Sequence, residues 1–133
     1  MNKLGIIAAA LASTVAFTSP VFAGWTEVDK GVSSGNTHYI DYDTIKENNG
    51  YVYYWDLDDL LKPDRDGDLS YKGLNEVDCG TPRKYRFLSV SYYTQPMGGG
   101  KVTEANTSGK WRYPKPDSVG ESMTNAACDY AGK

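Results

Sequence analysis

Hydrophobic and polar positions divide this chain into an apolar leader, a run of short alternating segments, and one segment of helical period at the end. In the leader, the single basic residue Lys3 precedes an uncharged run of small and apolar residues, 4–17. Thr18-Ser19-Pro20 breaks that run, and Val21-Phe22-Ala23 puts small residues where a signal peptidase reads them. The run, about 14 residues, is shorter than the roughly 20 needed to cross a bilayer. No basic cluster follows it, and no cysteine stands at the cleavage point. The pattern predicts a cleavable secretion signal over residues 1–23, then one domain over residues 24–133 with no transmembrane segment.

After the leader the period is two. Strands are predicted over residues 24–28, 37–41, 51–57, 70–79 and 84–93, with a short return strand at 101–105. The clearest is 51–57, where Tyr51, Tyr53, Trp55 and Leu57 share one face and Val52, Tyr54 and Asp56 the other. Asn48-Asn49-Gly50 is a tight-turn signal leading into it. Asp43-Thr44-Ile45-Lys46 reads as a single turn, and residues 62–68, with Pro63 and Gly67 among charges, as a loop. Leu74 and Val77 anchor the fourth strand, Gly98-Gly99-Gly100 is a flexible tip, and 106–116 is irregular.

The period changes at Ser118. This residue can cap a helix, with Glu121 placed to complete a capping box, and Val119, Met123, Ala126 and Ala127 form an apolar stripe. A helix of about ten residues follows, too short to stand alone in water. The whole is predicted as α+β: a mainly antiparallel β-sheet of five or six strands with one short C-terminal helix.

Cys79 and Cys128 are the only cysteines. In an exported chain an even pair reads as a disulfide. Zinc would need two more ligands, and His38 is the only histidine. The bond joins a strand end to the helix end and so tethers the helix to the sheet.

Composition and charge narrow the function. Removing Lys3 with the leader takes the formal net charge from −3 to −4, which argues against nucleic-acid or anionic-membrane partners. All 11 tyrosines and all three tryptophans lie beyond the leader, types that suit both strands and half-wet contact surfaces. A candidate binding patch is Tyr92, Tyr93, Lys101, Lys110, Trp111, Arg112 and Tyr113. The alternative is that Trp111 and Tyr113 plug the edge of the core.

Catalytic signals are weak. Asp56 and Asp58 share a strand face, as a glycosidase pair would, but a solvated acidic hairpin end that keeps a strand edge soluble is the favoured reading. No Ser or Cys nucleophile stands beside a base, His38 has no evident acid partner, and Gly98–Gly100 lacks the context of a phosphate loop. Asp64, Asp66 and Asp68 resemble the start of a calcium loop, but Gly67 and Asn75 fall where an EF-hand needs other residues, leaving at most a weak site. The chain is therefore expected to be no enzyme and to need no cofactor or metal.

A familiar order runs through the chain: Trp25, Tyr39-Ile40-Asp41, Trp55-Asp56-Leu57, Lys62-Pro63, Ser70, Val77-Asp78-Cys79, Lys84-Tyr85-Arg86, Met97-Gly98-Gly99-Gly100, Trp111, Pro116-Asp117-Ser118 and Cys128. In this order the chain resembles the surface-adhesin protein E family. The resemblance implies an antiparallel sheet with a C-terminal helix tied to it by one disulfide, and a periplasmic or outer-surface location. It also implies an adhesin role toward extracellular-matrix or serum proteins, and a capacity to form homodimers. The competing class is a small periplasmic envelope or stress factor, or an inhibitor of another protein.

Overall fold

The structure, a computed structural model, describes residues 24–105 and 108–133. The predicted leader lies outside the described residues. Six strands form one antiparallel sheet in chain order: β1 (Trp25–Lys30), β2 (Thr37–Asn48), β3 (Tyr51–Asp59), β4 (Ser70–Asp78), β5 (Lys84–Gln95) and β6 (Gly99–Ala105). Each strand pairs with the next, so local turn chemistry sets most of the topology. Asn48 pairs with Tyr51 across the two-residue loop Asn49-Gly50, and both loop residues have positive φ (52° and 83°). That is the turn whose twist suits an antiparallel hairpin, and Asn-Gly is the pair that adopts it at least cost.

The segment Asp43–Lys46, which reads locally as a single turn, instead lies inside β2. Pairing runs from Asp41 opposite Trp55 to Lys46 opposite Tyr53, so β2 carries extra residues in a wide bulge. Turn-like hydrogen bonds do exist there. The Asp43 N–H donates to the Asp41 side chain at 3.1 Å, and the Thr44 hydroxyl donates to the Asp41 carbonyl at 2.6 Å. The same hydroxyl accepts from the Trp55 N–H at 3.0 Å, which ties the bulge to β3. Thr44→Val keeps the shape and deletes both bonds. It should cost about 1–2 kcal/mol, read as a lower midpoint in urea unfolding.

Helix α1 (Val119–Tyr130) lies across one face of the sheet and contacts β1, β2 and β3. Ser118 Oγ accepts from the Glu121 N–H at 3.2 Å, as the capping pattern predicts. The reciprocal arm is displaced by one residue: Glu121 Oε1 accepts from the Asp117 N–H. The core lies between helix and sheet, built from Ile40, Val52, Tyr54 and Val77 below and Met123, Ala127 and Cys128 above. The Cys79–Cys128 disulfide closes the end of this layer. Arg83 Nη1 donates to Asn125 Oδ1 at 2.7 Å, Lys133 Nζ pairs with Glu47 at 2.6 Å, and the Tyr42 and Tyr130 rings lie 5.1 Å apart, adding support along the helix.

Residues 109–112 run back along the outer edge of β5. The Gly109 N–H donates to the Phe87 carbonyl, and Tyr85 and Arg112 exchange both backbone bonds. This pairing fixes which way each neighbouring side chain points.

Candidate functional site

Alternation sorts the sheet into two unlike faces. Val52, Tyr54, Asp56, Asn75 and Val77 face the helix. Tyr39, Tyr51, Tyr53, Trp55, Leu57, Lys72, Leu74, Glu76, Lys84 and Arg86 face the other way, where no helix among the described residues covers them. Leu57 alone of these apolar side chains is fully buried, beneath the 3-10 turn Pro96–Gly98 that folds over this end. The turn is pinned by hydrogen bonds from the Met97 N–H to Asp59 and from the Gly98 N–H to Ser70 Oγ. The aromatic and basic side chains of this face and Leu74 are half-buried, and Glu76 is buried.

Two cation–aromatic clusters mark the ends of the open face. At one end Lys72 Nζ lies 5.7 Å from the Trp25 ring centre and 5.1 Å from that of Tyr93. At the other, Trp111 stacks 5.6 Å from Tyr51, with Lys84 Nζ at 4.9 Å and the Arg86 guanidinium at 4.7 Å from its ring. Arg86 is held in place by Glu76, which accepts from its Nε at 2.8 Å and from Tyr53 Oη at 2.6 Å. Donating to Glu76, with desolvation added, raises the Tyr53 phenol above its ordinary pKa. Between the clusters, the β2 bulge overhangs a shallow hollow lined by Asp43, Thr44, Lys46, Tyr53, Trp55 and Leu74. The arrangement offers rigid aromatic surface with positive charge at both ends, chemistry suited to gripping another protein.

The structure does not gather the predicted patch into one surface. Tyr92 and Tyr93 are successive strand residues and point to opposite faces. Tyr93 is on the open face, and Tyr92 packs edge-on to Tyr71 at 5.0 Å on the helix face. Trp111 and Arg112 are split in the same way, because Arg112 pairs with Tyr85 and so sits on the helix side. Tyr113, 65% exposed, lies beside Arg112 and the start of α1 and plugs no core. Lys101 and Lys110 are exposed; Lys101 lies near the Tyr93 end, roughly 25 Å along β5 from the Trp111 end. Tyr51, Lys84 and Arg86, which complete the Trp111 cluster, are absent from the predicted patch, since only the sheet register brings them to Trp111.

The acidic end of β3 also differs from expectation. Asp56 is not solvated: it is 6% exposed and faces a cavity beneath the start of α1. Burial, with Asp58 nearby, raises its carboxyl well above the ordinary carboxylate range. Asp58 is bound by His38, with Nδ1 2.6 Å from Oδ1. Because Asp56 has a raised folded pKa, it is harmless below the ordinary carboxylate range. Stability is lost as pH rises from that range through the folded pKa. Asp56→Asn should therefore raise thermal stability at neutral pH, by on the order of 1 kcal/mol, and the gain should vanish in acid.

The Asp64–Asp66–Asp68 loop is closed by its own first residue. The Asp64 carboxylate accepts from the Asp66 and Asp68 N–H groups and from the Tyr71 hydroxyl. These bonds hold the Asp64 carboxyl below its ordinary pKa. Among the described residues no group of three or more metal-ligating side chains converges. Millimolar calcium should leave the melting temperature unchanged; a rise would show that the loop takes the ion.

The surface-adhesin protein E family model matches residues 25–129 of this chain. The chain belongs to that family. Solved structures of Haemophilus influenzae protein E share the fold of this surface-adhesin family member. Crystal form II of Haemophilus influenzae protein E superposes with a TM-score of 0.62 at 17% identity, covering 84% of this chain and 91% of that one. Another structure of Haemophilus influenzae protein E gives 0.59 at 15%, covering 84% and 89%. Protein E from non-typeable Haemophilus influenzae gives 0.57 at 16%, covering 86% and 82%. No curated protein sequence matches the chain. Among the described residues of this surface-adhesin family member, no helix is long and apolar enough to cross a membrane.

Proposed function

We propose that this chain is an exported, adhesin-type binding module that acts by contact and not by catalysis. It would work in the periplasm or on the outer cell surface and take a protein ligand, an extracellular-matrix or envelope protein, on the open face of its sheet. The observation that carries this is Trp111. Its ring is stacked on Tyr51 and flanked by Lys84 and Arg86, on a face that the helix leaves free. Tryptophan, tyrosine and arginine contribute most of the energy at protein interfaces, and here they are already ordered, so little entropy is lost on docking. Lys72 and Lys84 give the two ends of the face a positive sign, complementary to carboxylates on a partner.

Pull-down of matrix proteins by the oxidised domain tests this proposal. Trp111→Ala should sharply reduce capture, whereas Arg112→Ala, on the helix side, should leave it largely intact. Capture undiminished by Trp111→Ala removes the open face as the ligand surface. Protease shaving of intact cells tests the location: cleavage supports the surface adhesin, and full protection favours the periplasmic envelope factor.

A further inference from the structure

The helix face holds a second feature, unrelated to the Trp111 cluster. Beyond the N-terminal end of α1 the sheet carries two adjoining hollows that share Asp56, Asp58 and Phe87. The inner one, about 130 Å³, is lined also by His38, Asn75 and Met123. The outer one, about 280 Å³, is walled by Tyr71, Val90 and Tyr92 and floored by Gly73. Gly73 is required there, because a Cβ atom would lie 2.8 Å from Asp56 Oδ1 and 3.3 Å from the Phe87 ring.

The charges in this pocket do not balance. Two carboxylates face one imidazole, and that imidazole is committed to Asp58. Asp56 is almost fully buried, and among the described residues no ion pair reaches it. Such a group is costly as an anion unless something positive arrives. A second, independent deficit lies beside it. Asn75 is 1% exposed, and its Nδ2 has no hydrogen-bond partner. The amide lies close enough to Asp56 to offset part of the rise in its pKa, without forming a hydrogen bond of full geometry.

We propose that this pocket binds a primary alkylammonium group, either a lysine side chain of a partner or a small free amine. An ammonium has three donors. Asp56 supplies one acceptor, and Asp58 Oδ2 a second, its Oδ1 being taken by His38. A half-turn of the Asn75 amide supplies the third, turning an unpartnered donor into an acceptor. The alkyl stem lies along Phe87, Val90 and Tyr92, and the Phe87 and Tyr92 rings also attract the positive charge. Binding leaves Asp56 ionised, so a proton is released wherever the free pocket held one. The titratable groups facing Asp56 are Tyr54 and Asp58 on its own strand, His38 on β2, Tyr71 on β4, and Tyr85 and Tyr92 on β5. The part of α1 that lines the pocket, Val119, Gly120 and Met123, brings no charge.

Amide NMR titration of the oxidised domain tests this with three probes: pentylammonium chloride, a lysine capped at both backbone ends, and 1-pentanol. Saturable shifts at Asp56, Asp58, Gly73 and Phe87 are expected with an ammonium probe and not with pentanol. Affinity should fall about tenfold in Asp56→Asn, and in the wild-type protein it should fall as the pH is lowered through the raised Asp56 pKa toward the ordinary carboxylate range. Tyr92→Ala, at the rim, should weaken binding as well and gives a second variant that leaves both carboxylates in place. Tighter binding of the capped lysine supports a protein source, and tighter binding of pentylammonium a free amine. Equal binding of pentanol, no saturable binding, or unchanged affinity in both variants overturns the proposal. Trp111→Ala should leave the ammonium titration unaltered, so this site and the open face fail or stand separately.

Discussion

Replacing both cysteines by alanine should lower the stability of the domain by about 4 kcal/mol, or about 15 °C in melting temperature. The Cys79–Cys128 bond closes a span of 49 residues, long enough that opening it returns substantial freedom to the unfolded chain. The loss should not be spread evenly. The sheet is held by five ladders between successive strands, all formed without the bond. Helix α1 has 12 residues and depends on docking. Without the disulfide it is held by Met123 and Ala127 in the core, with Val119 and Ala126 packed against it, by the contacts of Arg83 with Asn125 and Asp129 and of Lys133 with Glu47, and by the Tyr42–Tyr130 pair. Hydrogen exchange should therefore show the helix amides losing protection well before those of β3 and β4. Helix amides that stay as protected as the central strands after reduction would contradict this account of the staple.

The second large effect concerns binding. Trp111→Ala should weaken the protein ligand by about 2 kcal/mol or more, roughly thirty-fold in Kd. The substitution removes the ring that bridges Tyr51 to the two cations, while Glu76 continues to hold Arg86. Much of the face should thus persist, and the loss should appear mainly as faster dissociation. Tyr113→Ala removes a more exposed aromatic two residues away, on the helix side, and should leave the affinity within error. Equal losses in both variants would show that aromatic area, and not the ordered cluster, governs capture.

The contrast between Trp111 and Tyr113 also shows how far the sequence can be read. Local signals were legible. Asn49-Gly50 sets a hairpin, the alternation of 51–57 gives two faces, and Ser118 with Glu121 starts a helix, because each is written in a few adjacent residues. The Asp43–Lys46 bulge was not, since its bonds are those of a turn and only pairing with Trp55 and Tyr53 keeps it inside β2. Asp56 looked like one more solvated acid, because its burial depends on Gly73, on Phe87 and on a helix more than sixty residues later in the chain. The separation of Tyr92 from Tyr93 follows from alternation alone. That of Trp111 from Arg112 does not, since it requires the register with Tyr85. The Trp111 cluster draws on β3, β5 and the returning segment, so its members could be found only once the register was known.

Hydroxyl-radical footprinting of the domain bound to a captured matrix protein tests the central claim most directly, because it reads side chains and so tells the two faces of one strand apart. The account predicts that Trp111, Tyr51, Tyr53 and Trp55 become protected on binding while Tyr113 and Tyr130 remain as reactive as in the free domain. Protection of Tyr113 and Tyr130, with Trp111 and Tyr51 unchanged, would contradict it.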